Sequence, residues 1–420
     1  MIGNGLPLYQ WFGIIPPNWE YKKMKFLTKL RSEKAEGKPN LPYIGLENIQ
    51  SKTGIYLKPS SENIQEIEGT SNKFYKNDVL FGKLRPYLGK CILADFEGIC
   101  TTELLVLKVK EQELSEKYLK YLLISPKFID LVNSSTYGSK MPRANWEFIK
   151  NIEVPLPSLE IQKRIELFIE NKTEEIDTLI GLKETLIKLV EKKRQSIITE
   201  AVTKGLNLNV KMKDSGMEWI GEIPEHWVTT KAKYIFKEKS VKGYPKKRLL
   251  SVSKGRGVIP RDEMEFKVVM AFKDLQNFKL VQAEDFVIHL RSFQSGFEIS
   301  EIEGIVSPAY TIFSLQNKGI ASYYKYLFYS KAFIDAIAST TQSLRDGKPI
   351  AYSDFGNMEI PVPSLKEQTE IAQYIEDNLK NIDVLVEEIA LAIEKLKEYR
   401  QSLIYEAVTG KIDVHEFETA

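Results

Sequence analysis

The chain contains about half of its sequence twice. Residues 154–159 read VPLPSL and residues 360–365 read IPVPSL, an offset of 206. At that same offset RQSIITEAVT (194–203) meets RQSLIYEAVT (400–409), with eight of ten residues identical. Nearer the N-terminus the offset becomes 208, where WFGIIPPNW (11–19) meets WIGEIPEHW (219–227). A repeat of this period predicts two similar structural units in tandem, each of about 200 residues and large enough for its own core.

The two copies match at their ends and differ in their middles. FYKNDVLFGKLRPYLGK (74–90) corresponds only loosely to AEDFVIHLRSFQSGF (283–297), although Glu-Gly-Ile at 97–99 and 303–305 marks the same point in both. A shared frame with unlike middles indicates one scaffold that presents two different binding surfaces. Ordinary divergence of surface loops is the alternative.

A helical pattern follows each Pro-x-Pro-Ser-Leu segment. Ser158 and Ser364 are good N-cap residues, and Ser364 with Glu367 matches a capping box. Apolar residues then recur at spacings of three and four, which predicts two helices of about 45 residues, or ~65–70 Å each. The predicted apolar stripes are Ile165, Phe168, Ile169, Ile176, Leu179, Leu186, Val190 and Ile197 in the first copy, and Ile371, Tyr374, Ile375, Ile382, Leu385, Ile393, Leu396 and Leu403 in the second.

Helices of this length need a second apolar stripe to pack against, and the other copy supplies one. We expect an α+β protein, a tandem repeat with two globular domains separated by two long antiparallel helices around a pseudo-twofold axis. Packing of each helix on its own domain or on partner subunits is the alternative. The expected boundaries are 1–157 and 206–363 for the globular domains, 158–205 for the first helix, and 364–420 for the second helix and tail.

The C-terminal ends of the two helices are the most faithfully repeated part of the chain. Exposed positions normally diverge, so identity here is compatible with one partner bound twice, although helix packing alone would also explain it. The candidate partner-binding residues are Arg194, Gln195, Glu200, Arg400, Gln401 and Glu406. Gly181 interrupts the first helix and marks either a close approach or a tolerated glycine.

No catalytic or metal-binding pattern is recognisable in the sequence. His226, His289 and His415 lack partners at metal-ligand spacing, and neither a phosphate-binding loop nor a dinucleotide-binding glycine motif occurs. Two cysteines, Cys91 and Cys100, indicate a reducing cytoplasm. No run approaches the ~18 apolar residues of a membrane helix. The sequence therefore predicts a non-catalytic binding protein without a metal.

The formal net charge of +2 conceals a strongly uneven distribution. Between Lys231 and Arg261 eleven basic residues face a single acid, Glu238, and the acids concentrate in the long helices. Basic residues interleaved with Gly, Ser and aromatics suit phosphate neutralisation and base contacts, whereas a solvated surface is the alternative for any single Lys. The candidate DNA-binding residues are Lys83, Arg85, Tyr87, Lys90, Lys140, Arg143, Lys254, Arg256, Arg261, Arg291, Gln294, Arg345 and Lys348.

Over essentially its whole length, the chain resembles the specificity subunit of type I restriction-modification systems. The resemblance rests on Asp214-Ser215 followed by Trp219–Trp227, on Leu249–Ser253 with Gly257–Arg261, on Tyr43–Ile49, and on the paired helix starts and ends, with Gln162 and Gln368 near the starts. Residues 1–10 depart from it, because they lack the Asp-Ser that precedes Trp219 in the second copy.

The resemblance implies two target-recognition domains that read the halves of a bipartite, asymmetric site on double-stranded DNA, with the helices acting as a ruler. The helices would also bind two modification (methyltransferase) subunits. These subunits and the restriction/translocase subunits would carry S-adenosylmethionine, ATP and Mg, so this chain would hold no cofactor. A single-chain nuclease or methyltransferase, or a coiled-coil scaffold without a DNA role, are the alternatives.

Overall fold

The chain folds into two compact units. The computed structural model describes residues 11–35, 41–58, 70–110, 113–138, 140–207, 209–264, 274–288, 297–316, 319–340 and 350–414. One unit comprises Met1–Glu184 with Ala390–Ala420, and the other comprises Thr185–Ile389. Each unit therefore contains part of both long helices.

The first unit contains short strands and helices that precede the first long helix. Its strands are β1 (Glu20–Lys23), β2 (Thr28–Arg31), β3 (Tyr43–Ile44), β4 (Ser71–Phe74), β5 (Val79–Gly82), β6 (Cys91–Leu93), β7 (Gly98–Thr101), β8 (Leu104–Val109) and β9 (Glu153–Leu156). Its helices are α1 (Met24–Leu27), α2 (Glu116–Ile124), α3 (Pro126–Ser134), α4 (Trp146–Ile149) and α5 (Leu159–Lys204), the last of which extends into the second unit.

Three sheets organise these strands. An antiparallel sheet has the order β2-β8-β5-β6, a second sheet has the order β3-β7-β4 with β3 parallel to β7, and β1 pairs with β9. In the first sheet Thr28 lies opposite Val109 at one end of β8, and Gly82 lies opposite Leu104 at the other end. Residues 49–56 form a short hairpin, with Ile49 bridged to Tyr56.

The second unit repeats this plan with different loops. Its strands are β10 (Met212–Asp214), β11 (Glu222–Pro224), β12 (Val228–Lys231), β13 (Phe236–Lys239), β14 (Leu250–Ser253), β15 (Gly257–Pro260), β16 (Lys279–Val281), β17 (Phe286–Ile288), β18 (Phe297–Ile299), β19 (Gly304–Val306), β20 (Thr311–Leu315) and β21 (Glu359–Val362). Its helices are α6 (Ala321–Tyr329), α7 (Lys331–Thr340), α8 (Tyr352–Asn357) and α9 (Leu365–Val408), the last of which extends into the first unit.

The sheet order β13-β20-β17-β18 reproduces β2-β8-β5-β6 strand for strand, and β12 pairs with β21 as β1 pairs with β9. The remaining pairs are β14-β15, β16-β19 and β10-β11. Seen at the level of strand order, the duplication in the sequence is therefore a duplication of the fold.

Both long helices form as predicted, α5 with 46 residues and α9 with 44. In the first unit the Tyr118 hydroxyl donates to the carbonyl of Pro155, just before α5, and to that of Val408, at the end of α9. In the second unit the Tyr323 hydroxyl donates to the carbonyl of Val202, near the end of α5. The start of one helix thus packs beside the end of the other in each unit, which confirms the antiparallel arrangement.

The predicted apolar stripes are only partly buried. Ile165, Ile169 and Ile176 are enclosed, but Leu179 and Leu186 are 42% and 43% exposed, as are Tyr374 and Leu385 of α9 at 44% and 42%. Members farther along α9, such as Ile382, Ile393 and Leu403, are buried again, so exposed and buried members alternate along the predicted stripe.

Repeated residues fix the ends of the long helices. The buried Gln162 accepts from the amide of Ser115 (2.8 Å) and donates to the carbonyl of Pro157 (2.8 Å). Its counterpart Gln368 makes the matching bonds to Ile320 and Pro363 (3.0 and 2.9 Å). The capping box of Ser364 and Glu367 is confirmed, because each side chain accepts the other residue's amide.

Glycine ends both helices. Gly205 and Gly410 have φ of +73° and +71°, the left-handed conformation of a helix C-cap glycine. A Cβ at Gly410 would lie 2.5 Å from Pro16, and one at Gly205 would lie 3.2 Å from Trp227. The repeated Trp-x-Gly-x-Ile-Pro-x-x-Trp motif therefore packs on these helix ends and requires glycine there.

Candidate nucleic-acid interface

Two distant segments of the first unit meet at one end of its four-stranded sheet. Arg85 donates its amide to the carbonyl of Pro142 (2.7 Å), and Ala144 donates to the carbonyl of Lys83 (2.8 Å). Arg143 is bridged to Leu84. These backbone bonds bring five of the predicted DNA-binding residues together in what we call the first tip cluster: Lys83, Arg85, Tyr87, Lys140 and Arg143.

The backbone presents Arg85 outward at a cost. Arg85 has φ of +49°, a conformation that disfavours residues with a Cβ by about 1–2 kcal/mol. Pro86 is buried directly after it and starts a single helical turn, which ends at Gly89. The side chains of Arg85 and Lys140 are exposed, and that of Tyr87 is 45% exposed. Strain at a surface turn that exposes an arginine is typical of a binding site.

Two predicted residues of this region are tied to the protein itself. Arg143 pairs with Glu103 at 3.1 Å, and this hydrogen-bonded pair raises the pKa of the guanidinium. Lys90 donates its ammonium to the carbonyl of Leu46 (2.5 Å). Arg85, Tyr87 and Lys140 are therefore the members most open to a ligand, with Arg143 supporting the turn beneath them.

In the second unit the hairpin of β14 and β15 carries Lys254 and Arg256 at its tip, both exposed. Arg261 follows β15, is partly buried, and donates its amide to the carbonyl of Leu249 (3.1 Å). The three residues lie on one continuous hairpin, which we call the second tip.

A buried carboxylate holds the second tip. Glu298 on β18 has no exposed surface, and its two oxygens accept the amides of Gly255 (2.8 Å) and Gly257 (3.2 Å), on either side of Arg256. The Tyr329 hydroxyl donates to the same carboxylate. Burial raises the pKa of Glu298, although these three hydrogen bonds oppose the rise.

Glycine is required within this arrangement. Gly257 has φ of +80°, and a Cβ there would lie 2.8 Å from the carbonyl oxygen of Ile299. The close approach of hairpin and sheet lets the Glu298 carboxylate reach both amides. The backbone around Arg256 is thus pinned while its side chain points outward.

Several other basic residues of the second unit are neutralised. Lys239 pairs with the buried Asp285 (2.8 Å), Lys247 pairs with Glu303, and Arg248 pairs with Asp262 (3.2 Å). The run from Lys231 to Arg261 therefore carries less free positive charge than its sequence indicates. Counting charges within the run did not reveal this neutralisation, because the acids lie on distant strands or directly after the run.

Four predicted DNA-binding residues fall outside the described residues. They are Arg291, Gln294, Arg345 and Lys348. His289 and His415 lie outside as well, whereas His226 lies 2.7 Å from a carboxylate oxygen of Glu367.

The repeated partner-binding candidates have unlike surroundings. Arg194 is paired with Glu191 (3.0 Å) and Asp383, with 19% of its side chain exposed. Its counterpart Arg400 is only 6% exposed, pairs with Asp177 (3.0 Å), and donates to the carbonyls of Lys52 (3.2 Å) and Thr53 (3.3 Å).

The remaining candidates divide in the same way. Gln195 and Glu200 are exposed. Gln401 donates to the carbonyl of Lys52 (2.7 Å), and Glu406 accepts from the Ser402 hydroxyl (3.1 Å). Gln195 and Glu200 on α5 therefore face solvent, whereas Arg400 and Gln401 on α9 are bonded to the hairpin 49–56 of the first unit.

Sequence reasoning missed a cavity beside the second tip. It has a volume of about 470 Å³, and its lining includes Arg194, Lys254, Lys325, Tyr329 and Asp383. It also missed Glu298, for which one signal existed: a lone acid between Phe297 and Ile299 in an otherwise apolar strand. Such an acid needs buried partners, which the Gly-x-Gly hairpin supplies.

Among the described residues, no cluster of His, Cys, Asp and Glu has the geometry of a metal site. Cys91 and Cys100 are free and buried, and burial raises the pKa of the Cys100 thiol to about 12. Within the same residues, no helix has both the length and the apolar character needed to cross a bilayer.

Comparison with known proteins identifies the repeat. A family model described as the type I restriction modification DNA specificity domain matches residues 19–192 and again residues 217–395. The putative type I restriction enzyme MjaX specificity subunit of Methanocaldococcus jannaschii is 26% identical, over 96% of this chain and 95% of that relative. The MjaVIII specificity subunit of the same organism is 24% identical, over 95% of this chain and 94% of that relative.

Solved structures show the same fold. A chain from a study titled "Structural basis underlying complex assembly and conformational transition of the type I R-M system" aligns with a TM-score of 0.69 at 18% identity, over 95% of this chain and 100% of that chain. The HsdS subunit of Thermoanaerobacter tengcongensis aligns with a TM-score of 0.53 at 18% identity, over 95% and 98%.

These findings confirm the resemblance that the sequence motifs carried. The family model describes a DNA specificity domain and the matched relatives are named as specificity subunits, which agrees with the prediction of a non-catalytic chain. With two specificity domains that cover most of its length, the chain belongs to the type I restriction-modification DNA specificity family.

Proposed function

We propose that each unit reads one half of a bipartite, asymmetric site on double-stranded DNA in the cytoplasm. The observation that carries this proposal is that the two units share a strand order but expose different residues at their tips. Arg85, Tyr87 and Lys140 project from the first unit, and Lys254 and Arg256 project from a different loop of the second. Different side chains on matched scaffolds would select different bases, so the two halves of the target would differ.

Arginine is central to this proposal for chemical reasons. Its guanidinium can donate two parallel hydrogen bonds to the O6 and N7 acceptors of guanine in the major groove. Arg85 and Arg256 are the exposed arginines of the two tips, and each stands on a backbone held by hydrogen bonds. Lysines nearby would neutralise phosphates and fix the register without reading the sequence.

We further propose that residues 1–157 and 206–363 form the recognition domains, and that residues 158–205 and 364–420 form the helices that space them and dock partners. Exposed leucines support the docking role, because they follow each other along α5 at spacings of three and four. Leu182 and Leu189 are 62% and 55% exposed, and Leu391 on α9 is 59% exposed. Apolar stripes of this kind favour helix packing with another protein.

The proposed occupants of these helices are the modification and restriction subunits, which would carry the S-adenosylmethionine, ATP and Mg. Gln195 and Glu200 are exposed on α5 and would contribute polar contacts at the rim. Arg194 and Arg400 would act by holding the helix ends in place.

The test is a binding selection on random duplexes with the chain assembled with its methyltransferase subunit. Arg85→Ala should relax base preference in one half-site and Arg256→Ala in the other, each by about 1–3 kcal/mol. Arg164→Ala, on the helix and paired with Glu160 at 2.9 Å, is the matched control and should change neither. Unchanged preference in both tip variants, or an equal loss over all sequences, would contradict base reading by these residues.

A further inference from the structure

An exposed aromatic residue recurs at the same place on both units, away from the two tips. Phe26, on α1, is 55% exposed, and Tyr234, 208 positions later, is 62% exposed. Each lies on a short helical turn between two strands, next to a buried residue that anchors the turn, Met24 in one case and Ala232 in the other. An isolated exposed ring is common, but one repeated at the same place in both copies is not explained by chance exposure.

The surroundings of the two rings are repeated as well. Lys25 donates its ammonium to the side-chain oxygen of Asn151 (3.1 Å), and Lys233 donates to that of Asn357 (3.0 Å). Each ammonium also lies over its neighbouring ring, at 5.4 Å in the first unit and 5.7 Å in the second. A neutral amide holds each lysine, so its charge is positioned without being cancelled.

Lysines border the ring in each unit, and the first unit has more of them. Lys29 on β2 and Lys237 on β13 occupy equivalent positions of an edge strand and are exposed. In the first unit Lys108 and Lys110 add to the rim of a groove of about 1130 Å³. Its acids already have partners, since Glu113 pairs with Lys22 and Glu33 pairs with Lys73 at 3.2 Å. In the second unit the acids near the rim are Glu238 and Glu359, both exposed.

The surface of the first unit is distant from its tip cluster. Thr28 lies opposite Val109, whereas Gly82, which leads into the tip cluster, lies opposite Leu104. Five residues of an antiparallel strand span about 17 Å. The phenyl ring of Phe26 offers no hydrogen bond to a phosphate, and the bases of a duplex are stacked out of its reach. An aromatic centre with a charged rim is instead the anatomy of a protein–protein hot spot.

We propose that these are two copies of one protein-docking surface: Phe26 with Lys25 and Lys29, and Tyr234 with Lys233 and Lys237. The occupant is an acidic surface of the methyltransferase subunit, with an apolar pocket for the ring, and one subunit binds per unit of this chain. The residues that the two surfaces share, an exposed ring with two lysines, favour the same negatively charged partner at each. The exposed Glu238 and Glu359 make the second surface less positive than the first. This proposal rests on the proposed function for the identity of the partner, but adds contact outside the long helices.

The experiment counts methyltransferase subunits bound to the full chain, by native mass spectrometry and by titration of the purified subunit. Phe26→Ala and Tyr234→Ala should each weaken one of the two binding events at least tenfold, and the double variant should weaken both. Lys29→Glu and Lys237→Glu should act in the same direction. Ile14→Ala removes a side chain that is 93% exposed and has no repeated apolar counterpart, and serves as the matched control.

The outcomes separate the hypotheses. Wild-type affinity in the double variant, with the parent chain binding two subunits, overturns this proposal and leaves the proposed function intact. Weaker DNA binding by the free chain with unchanged subunit binding makes the surface a DNA contact and also overturns it. A parent chain that binds no methyltransferase subunit overturns the docking part of the proposed function together with this inference.

Discussion

The two units hold corresponding hairpins through different structural elements. In the first unit the long helix does this, because Arg400 donates to the carbonyls of Lys52 and Thr53 at the tip of hairpin 49–56. Asp177 pairs with the same guanidinium at 3.0 Å. In the second unit the sheet does it, because Glu298 accepts the amides of Gly255 and Gly257 in the β14–β15 hairpin.

Hairpin 49–56 and the β14–β15 hairpin occupy equivalent positions, because equivalent residues surround them. A Cβ at Gly54 would lie 3.2 Å from Lys120, and the repeat counterpart of that lysine, Lys325, lines the cavity beside Lys254. Strand register places Ile92 of β6 where Glu298 lies in β18, since they pair with Leu80 and Val287 of equivalent strands. The replacement of Ile92 by Glu298 at equivalent positions therefore accompanies the change from a helix residue to a sheet residue as the group that holds the hairpin.

A residue that is identical in the two copies of the repeat therefore need not have the same role in both. Arg194 and Arg400 are the first residues of the two copies of the repeated ten-residue segment. Arg400 is nevertheless enclosed, whereas Arg194 borders a cavity.

The largest expected effect is that of Arg400→Ala. It removes a nearly buried cation and leaves the Thr53 carbonyl and Asp177 without this donor, while the Lys52 carbonyl keeps its bond from Gln401. The loss should destabilise the first unit by about 2–4 kcal/mol. Arg194→Ala, the matched change, removes a more exposed ion pair and should cost about 0–1 kcal/mol. Hydrogen exchange of residues 49–57 and urea unfolding measure both. Equal losses would show that the two anchors do not differ.

The next effect belongs to Glu298→Gln. An amide in place of the carboxylate turns one acceptor into a donor that faces another N–H, which should cost about 1–3 kcal/mol locally. Faster exchange of the Gly255 and Gly257 amides is the measurement, together with weaker binding at one DNA half-site. Tyr329→Phe removes only the hydroxyl and should have a smaller effect. If exchange in the hairpin is unchanged in Glu298→Gln, the sheet does not anchor the second tip.

A smaller effect distinguishes the starts of the long helices by their pH dependence. Burial alone would raise the pKa of Glu367, but hydrogen bonds from His226, Trp227 and Ser364 outweigh it and lower the pKa from 4.5 to about 2. Because the native pKa is below the unfolded value, this stabilisation is complete above about pH 4.5 and is lost as the pH falls towards 2. The first helix has Ile161 at the matching position.

Glu367→Gln should therefore cost about 1–2 kcal/mol at pH 7 and flatten the acid dependence of the second unit. Exchange of residues 364–372, with 158–166 as the internal reference, measures it between pH 7 and 3. The same acid dependence at both helix starts would contradict the assignment.

The smallest expected effect is stabilising. The prediction of a close approach at Gly181 is not supported, since a Cβ there would meet no heavy atom of the described residues within 4 Å. Gly181→Ala should raise stability by about 0.5–1 kcal/mol through helix propensity, read from the melting temperature. The second long helix has Glu387, a good helix former, at the equivalent position. A loss of stability would reveal a contact with this glycine.

Much of the fold followed from the sequence because it rests on local chemistry and on repetition. The Pro-x-Pro-Ser-Leu starts, the capping box at Ser364 and the spacing of apolar residues together predicted both long helices to within a few residues. The duplicated motifs predicted two like units, and the antiparallel packing followed from the need to cover two apolar stripes.

The site was less accessible to sequence reasoning. That Arg85 and Lys140 share one cluster depends on backbone bonds between segments more than fifty residues apart. Charge along the chain concealed the pairing of Lys239 with Asp285, because strand pairing brings that acid from a distant segment. The role of Glu298 could not be predicted, because the sequence does not show which hairpin lies against strand β18.

If the two units read different half-sites independently, exchange of one recognition domain should change only one half of the target. Residues 20–150 are replaced by the corresponding segment of a divergent family member, the chain is assembled with its methyltransferase subunit, and the methylated DNA sites are sequenced. Independent reading by the two units predicts a change in one half of the target with the other half retained. A change in both halves, or in neither, would contradict it.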